Sequence, residues 1–151
     1  MEAIRNGYGH LTRLLAWLAP AGDLVIRLWV ANVFLKSGLT KIAGWDSTLF
    51  LFSNEYHVPL LPPELAAYLG TFAELCFPVL LALGLGTRFS ALALFIFNIF
   101  AVVSYPFLWT EEGQVGFTNH VTWGLLLLVP MLHGAGKLSL DELLGKRLTS
   151  R

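Results

Sequence analysis

Four stretches of almost unbroken apolar residues, each close to the length of a membrane crossing, run along the chain with short polar connections between them. They cover 24–42, 64–85, 89–109 and 118–133, the fourth being the shortest, and a helix needs about 20 residues to cross a hydrocarbon layer of about 30 Å. Runs such as LCFPVLLAL and GLLLLVP show no polar alternation of the kind a barrel strand requires. A spanning backbone must satisfy its own hydrogen bonds, so each stretch predicts a helix. The tight GLGTR between the second and third predicts an antiparallel hairpin, with Gly84 and Gly86 suited to ending a helix. The longer connection before the second span has an apolar LFLF core, which predicts a segment lying on or dipping into the bilayer. The expected fold is an all-α integral membrane four-helix bundle without internal repeats.

Ahead of the first span, YGHLTRLLAWLAP predicts an amphipathic interfacial helix, with Leu11, Leu14, Leu15 and Leu18 on one face and His10 and Arg13 on the other. Ala19-Pro20-Ala21 only resembles a signal cleavage site, because the apolar run is short and its polar leader long. Pro20 and Gly22 are expected to break this helix and Asp23 to cap the first span. At the other end SLDELLGKRL predicts a short surface helix with Ser139 as its cap and Glu142 at N3. The expected division is 1–22 interfacial segment, 23–145 four-helix domain and 146–151 basic tail.

Composition agrees. The chain is 56% hydrophobic and 13% charged, against about a quarter charged in an ordinary soluble domain. Ten basic residues balance ten acidic ones, so no field for nucleic acid exists. A single cysteine, Cys76, excludes an intrachain disulfide and any cysteine-based metal cluster within the chain. The four histidines lack the spacing of a metal motif, and no metal site is expected. Arg5, Arg13, Arg88, Lys137, Lys146, Arg147 and Arg151 fall on one side of the layer; Asp46, Glu55, Glu111 and Glu112 fall on the other. The positive-inside rule then predicts both termini cytoplasmic, against the sense of Lys36 and Lys41 near the outer end of the first span.

Polar residues inside the spans hold what chemistry there is. Arg27, Ala31, Phe34, Gly38 and Lys41 share one helical face, which should turn toward protein rather than lipid. Arg27 has two readings, snorkelling to the inner interface or an internal ion pair. Lys36 and Lys41 are expected to snorkel outward. Glu74 lies about ten residues into its span, too deep for so short a side chain to reach water. It must be protonated or paired, and Arg27 is the expected cation. Pro78 removes an N–H that would bond the Glu74 carbonyl. Asn98, in the third span, shares Glu74's depth and suits interhelical hydrogen bonding. His120 could approach Lys41 and Glu74. Tyr56, Trp29, Trp45, Trp109 and Trp123 fit aromatic belts. GxGxxG, Walker and CxxCH motifs are missing, so electrons would have to travel on a mobile quinone or a partner subunit.

An early arginine followed by SGLTKI, then GTFAELCFPVLLALGLGTRFSALAL, then GAGKLSLDELL, resembles the DoxX family over about 23–144. The resemblance implies a four-helix, multi-pass protein of the bacterial or archaeal inner membrane, sharing Arg27, Gly38, Lys41, Glu74, Arg88 and Asp141. Together with the polar residues of the spans, it leads to two functional expectations. One is a subunit of a quinone-linked oxidoreductase complex with a polar intramembrane site formed by Arg27, Lys41, Glu74, Asn98 and His120. The other is a non-enzymatic scaffold, chaperone or transport-associated accessory of a peptide-modification or metal-handling system. Partners besides the bilayer would be other subunits or further copies of the chain.

Overall fold

A computed structural model describes residues 1–149, apart from the side chains of 2–4 and 147–149. Arg151, and the side chain of Arg147, from the expected basic tail lie outside the described residues. All regular structure among those residues is helical: α1 (Glu2–Ala43), α2 (Trp45–Asn54), α3 (Pro63–Leu83), α4 (Thr87–Ser104), a 3-10 turn (Pro106–Trp109), α5 (Gln114–His133) and α6 (Leu140–Thr149). Helices α1, α3, α4 and α5 are each long and apolar enough to cross a membrane. They pack in a closed ring, α1 on α3, α3 on α4, α4 on α5 and α5 back on α1.

The buried face of each helix repeats at helical spacing. On α1 it comprises Arg27, Val30, Ala31, Phe34 and Gly38, the stripe the sequence marks. The central core joins Val30, Phe34, Leu81, Leu94 and Leu127. Outward-facing Val25, Trp29, Phe72, Phe89 and Leu125 stay exposed on the bundle, the pattern of a surface that meets lipid. Helix α2 and its following loop cover one end, with Phe52 buried against Ala66 and Ala67 of α3.

Two expectations about helix boundaries are corrected. The helix does not break at Pro20; α1 runs unbroken through it. Proline forfeits only the bond to Ala16, which is exposed and free to find another donor. At 1.5 Å per residue α1 is about 63 Å long, twice a hydrocarbon layer, and Asp23 is mid-helix rather than a cap. The third span ends at Ser104, not at Trp109, because Pro106 follows and turns the chain into a 3-10 segment.

The end of the bundle away from α2 is tied by polar groups. Helix α3 closes in a Schellman motif, with Leu85 N–H on the Leu80 carbonyl at 2.9 Å and Gly84 N–H on Leu81 at 3.1 Å. Gly84 sits at φ +69°, and a Cβ there would strike the Arg27 guanidinium and Ser139. Fully buried, Arg27 donates to the carbonyls of Leu81 at 3.2 Å and Ala82 at 3.5 Å, and to that of Leu138 just before α6. Asp141 of α6 accepts from the N–H groups of Gly86 at 2.8 Å and Thr87 at 2.9 Å, capping α4 from another element. Its own N–H returns a bond to the Gly84 carbonyl at 2.8 Å. Ser139 caps α6 as expected, accepting from Glu142 N–H at 3.2 Å.

Burial alone would push the Asp141 carboxyl up, but the bonds from Thr87 and Gly86, with the charge of Arg27, outweigh it and hold it below its ordinary value. The attachment of α6 therefore contributes fully above that ordinary value, and the contribution is lost as pH falls through the lowered folded value. In detergent, Asp141→Ala should cost about 1–2 kcal/mol at neutral pH. It should also flatten the loss of stability the wild type shows below about pH 4, read from thermal unfolding at a series of pH values.

Candidate functional site

Glu74 faces inward from the middle of α3 and is 4% exposed. Its cation is Lys41, with Nζ 2.6 Å from Oε2 and 2.9 Å from Oε1. Lys41 also donates to Ser37 Oγ at 2.9 Å, one turn back on the same face of α1. Both charges are thus withdrawn from lipid, with 18% of the lysine side chain and 5% of the glutamate side chain left exposed.

This contact corrects the expected pairing. Arg27 does not reach Glu74; eleven residues of α1 separate it from Gly38, which lies level with the carboxylate, and that is about 16 Å along the axis. Its guanidinium ties down carbonyls at the far end instead, so it neither snorkels nor forms the expected ion pair. Lys41 does not snorkel outward either. Only three residues beyond Gly38, its long side chain folds back to the carboxylate, where desolvated charges attract more strongly than in water.

Gly38 makes the approach possible. A Cβ at that position would stand 3.0 Å from Glu74 Cβ and 3.1 Å from its backbone carbon. Any larger residue would wedge α1 away from α3 and lengthen the ion pair.

The pair forms part of the wall of a cavity of about 400 Å³. Ala66, Gly70 and Ala73 of α3, Phe97 of α4 and Phe52 of α2 supply apolar surface. Leu69, Ile96 and Phe100 line it too and are 45–48% exposed on the outside of the bundle, so apolar surface of α3 and α4 continues from the cavity to the exterior. At the end near α2, Tyr56 and Tyr105 stand edge to face at 4.8 Å. Burial pushes the Tyr56 phenol up, with Tyr105, Glu55 and Glu74 adding to the shift, so it remains a donor at neutral pH. The loop carrying it is fixed to α4 by His57 N–H on the Ser104 carbonyl at 2.7 Å. Ser104 Oγ, in the same wall and 4% exposed, has no hydrogen-bond partner among the described residues.

Asn98 and His120 form a unit beside this cavity. Asn98 Nδ2 donates to the His120 carbonyl at 2.9 Å, and Asn98 Oδ1 lies 2.8 Å from His120 Nδ1. His120 borders the cavity; both residues border a shallower apolar groove between α4 and α5. The structure therefore gathers Lys41, Glu74 and His120 at one cavity, sets Asn98 behind the histidine, and leaves Arg27 at the opposite end. Ser37, Tyr56 and Ser104 are further lining residues that the sequence reading did not select. Ser37 is visible in retrospect from its four-residue spacing to Lys41, whereas Tyr56 and Ser104 arrive through tertiary packing and carry no local signal.

A family model described as DoxX matches residues 22–106, a span that contains Arg27, Gly38, Lys41, Glu74 and Asn98 but neither His120 nor Asp141. A protein of Haemophilus influenzae described as uncharacterized is 33% identical over 131 residues, covering 82% of this chain and 83% of its own. No solved structure matches.

Removing one member of the ion pair strands the other in an apolar setting. Glu74→Leu or Lys41→Met alone should each lower stability by about 3–5 kcal/mol. The double variant should lose less than either single one, as measured by reversible unfolding in mixed detergent micelles.

Proposed function

This chain belongs to the DoxX family, and from that premise we propose that it is a subunit of a quinone-linked membrane complex whose cavity beside Lys41 and Glu74 receives the quinone head group. The observation that carries the reading is the position of the ion pair, on the wall of an apolar cavity large enough for a small molecule rather than sealed between helices. The residues suit such a ligand. Apolar side chains match a ring and the start of its tail, and the exposed Leu69, Ile96 and Phe100 mark a route in from the bilayer, where a quinone resides. Ser104 Oγ, buried and unpartnered, offers a hydrogen bond that no described protein group takes up.

Bound there, a quinone would supply electron-accepting chemistry that this chain's side chains lack. Lys41 would place positive charge beside the ring, favouring electron density on its oxygens. Glu74 holds Lys41 in place, and His120 and Tyr56 provide proton-carrying groups at the same cavity. Electrons would come from a partner subunit. The basic residues of the termini and of the α3–α4 turn support an orientation with both termini in the cytoplasm, in the plasma membrane of a bacterium or archaeon. In this reading 1–22 is an interfacial segment, 23–145 the membrane domain and 146–151 a cytoplasmic tail.

A second reading, a scaffold or accessory protein without chemistry, draws on the ties around Arg27 and Asp141, which serve cohesion alone. Glu74→Gln separates the two. If the cavity holds a quinone, lipid extracts of the purified protein should contain it, and the variant should carry about tenfold less while remaining folded, as one charge-assisted contact is worth about 1.5–3 kcal/mol. Unchanged quinone content alongside a lowered Tm would refute the cavity reading and leave the scaffold.

A further inference from the structure

His120 carries a ring nitrogen that has no partner among the described residues, and its neighbours fix what that nitrogen can do. The Asn98 amide is bound at both ends by His120, at 2.9 Å from the backbone carbonyl oxygen and 2.8 Å from Nδ1. A carbonyl oxygen only accepts, so the amide atom facing it must be Nδ2. Oδ1 therefore faces Nδ1 and, being an acceptor, requires the ring proton to sit there. For the neutral ring this leaves a lone pair on Nε2, which has no hydrogen-bond partner among the described residues.

The ring cannot readily turn to change this. Trp123 stands against it at 4.7 Å in an edge-to-face arrangement, and Trp123 is itself packed edge to face on Phe34 at 6.1 Å. Gly124 backs the amide, where a Cβ would lie 3.3 Å from Asn98 Nδ2. The acceptor is set by packing before any ligand arrives.

Among the other polar groups of the cavity, Lys41, Glu74 and Ser37 bond to one another, while Ser104 Oγ and the Tyr56 phenol remain as further hydrogen-bonding groups. We propose that His120 Nε2 accepts a hydrogen bond from a hydroxyl on the ligand head group. The cavity is thereby selective for the reduced, hydroquinone form over the quinone. A hydroquinone presents O–H donors to this lone pair, whereas quinone oxygens only accept and meet it lone pair to lone pair. Asn98 is a positioning residue that holds the tautomer. The inference rests on the reading of this cavity as a quinone site.

The test uses the full chain in lipid nanodiscs under anaerobic conditions, with empty discs subtracted. Three probes are compared by equilibrium dialysis: 1,4-naphthohydroquinone, 1,4-naphthoquinone and 1,4-dimethoxynaphthalene. The wild type should bind the hydroquinone about tenfold more tightly than either other probe, as one well-placed hydrogen bond predicts. His120→Asn keeps an amide nitrogen near the place of Nδ1 and has nothing at Nε2; it should lose the preference while still binding the quinone. His120→Gln, whose amide reaches the place of Nε2, should retain part of it. Equal binding of all three probes by the wild type, or a preference that survives His120→Asn, overturns the selectivity while leaving the cavity reading intact. Binding of none of them above empty discs removes both.

Discussion

An ionised carboxylate inside hydrocarbon is tolerated only where a cation meets it at contact distance, and in this bundle that condition is met by Lys41 on Glu74. Much of the architecture follows from it. The contact requires α1 and α3 to lie close, which requires a residue without a side chain at position 38. It requires the first span to bring its cation back from near the helix end rather than forward from the start. With α1 drawn against α3, the remaining space falls on the other side of the carboxylate, toward α4, where the cavity opens.

The residues singled out in the sequence fall largely at two stations. Gly38, Lys41 and Glu74 form one, at the middle of α3 and beside the cavity. Arg27 and Asp141 form the other, where the α3–α4 turn, the start of α6 and the first span meet. The second station brings the LGLGTR turn and the GAGKLSLDEL tail together although about fifty residues separate them in the chain. The Asp141 carboxylate accepts from amides of the turn, the Gly84 carbonyl of the turn accepts from the Asp141 N–H, and the buried Arg27 guanidinium bonds carbonyls of both α3 and the tail. These contacts tie the turn to the tail; the first station borders the cavity.

The fold was largely legible because it depends on composition and period. Apolar length located the spans, and spacings of three and four residues found the buried face of α1 through Arg27, Phe34 and Gly38. What sequence misjudged was depth. Counting residues from the expected cap at Asp23 put Arg27 within reach of Glu74, but the register of two antiparallel helices is set by where their smallest residues touch. Gly38 against Glu74 fixes that register and leaves Arg27 about 16 Å away. The break expected at Pro20 failed for a related reason, since one lost hydrogen bond at an exposed turn does not end a helix that has apolar residues on both sides. The cavity was least legible, because Tyr56 comes to it on the loop after α2 and Ser104 on the end of α4.

The two ends of the bundle are held by different means. Around Arg27 the helix ends are laced through backbone carbonyls and amides, in contacts that shift only if several give way together. Beside the cavity α1 and α3 meet at Gly38 and through the Lys41–Glu74 pair, with α2 and its loop packed over that end. A molecule arriving between α3 and α4 would meet Leu69, Ile96 and Phe100 first, far from the polar ties that fasten the opposite end.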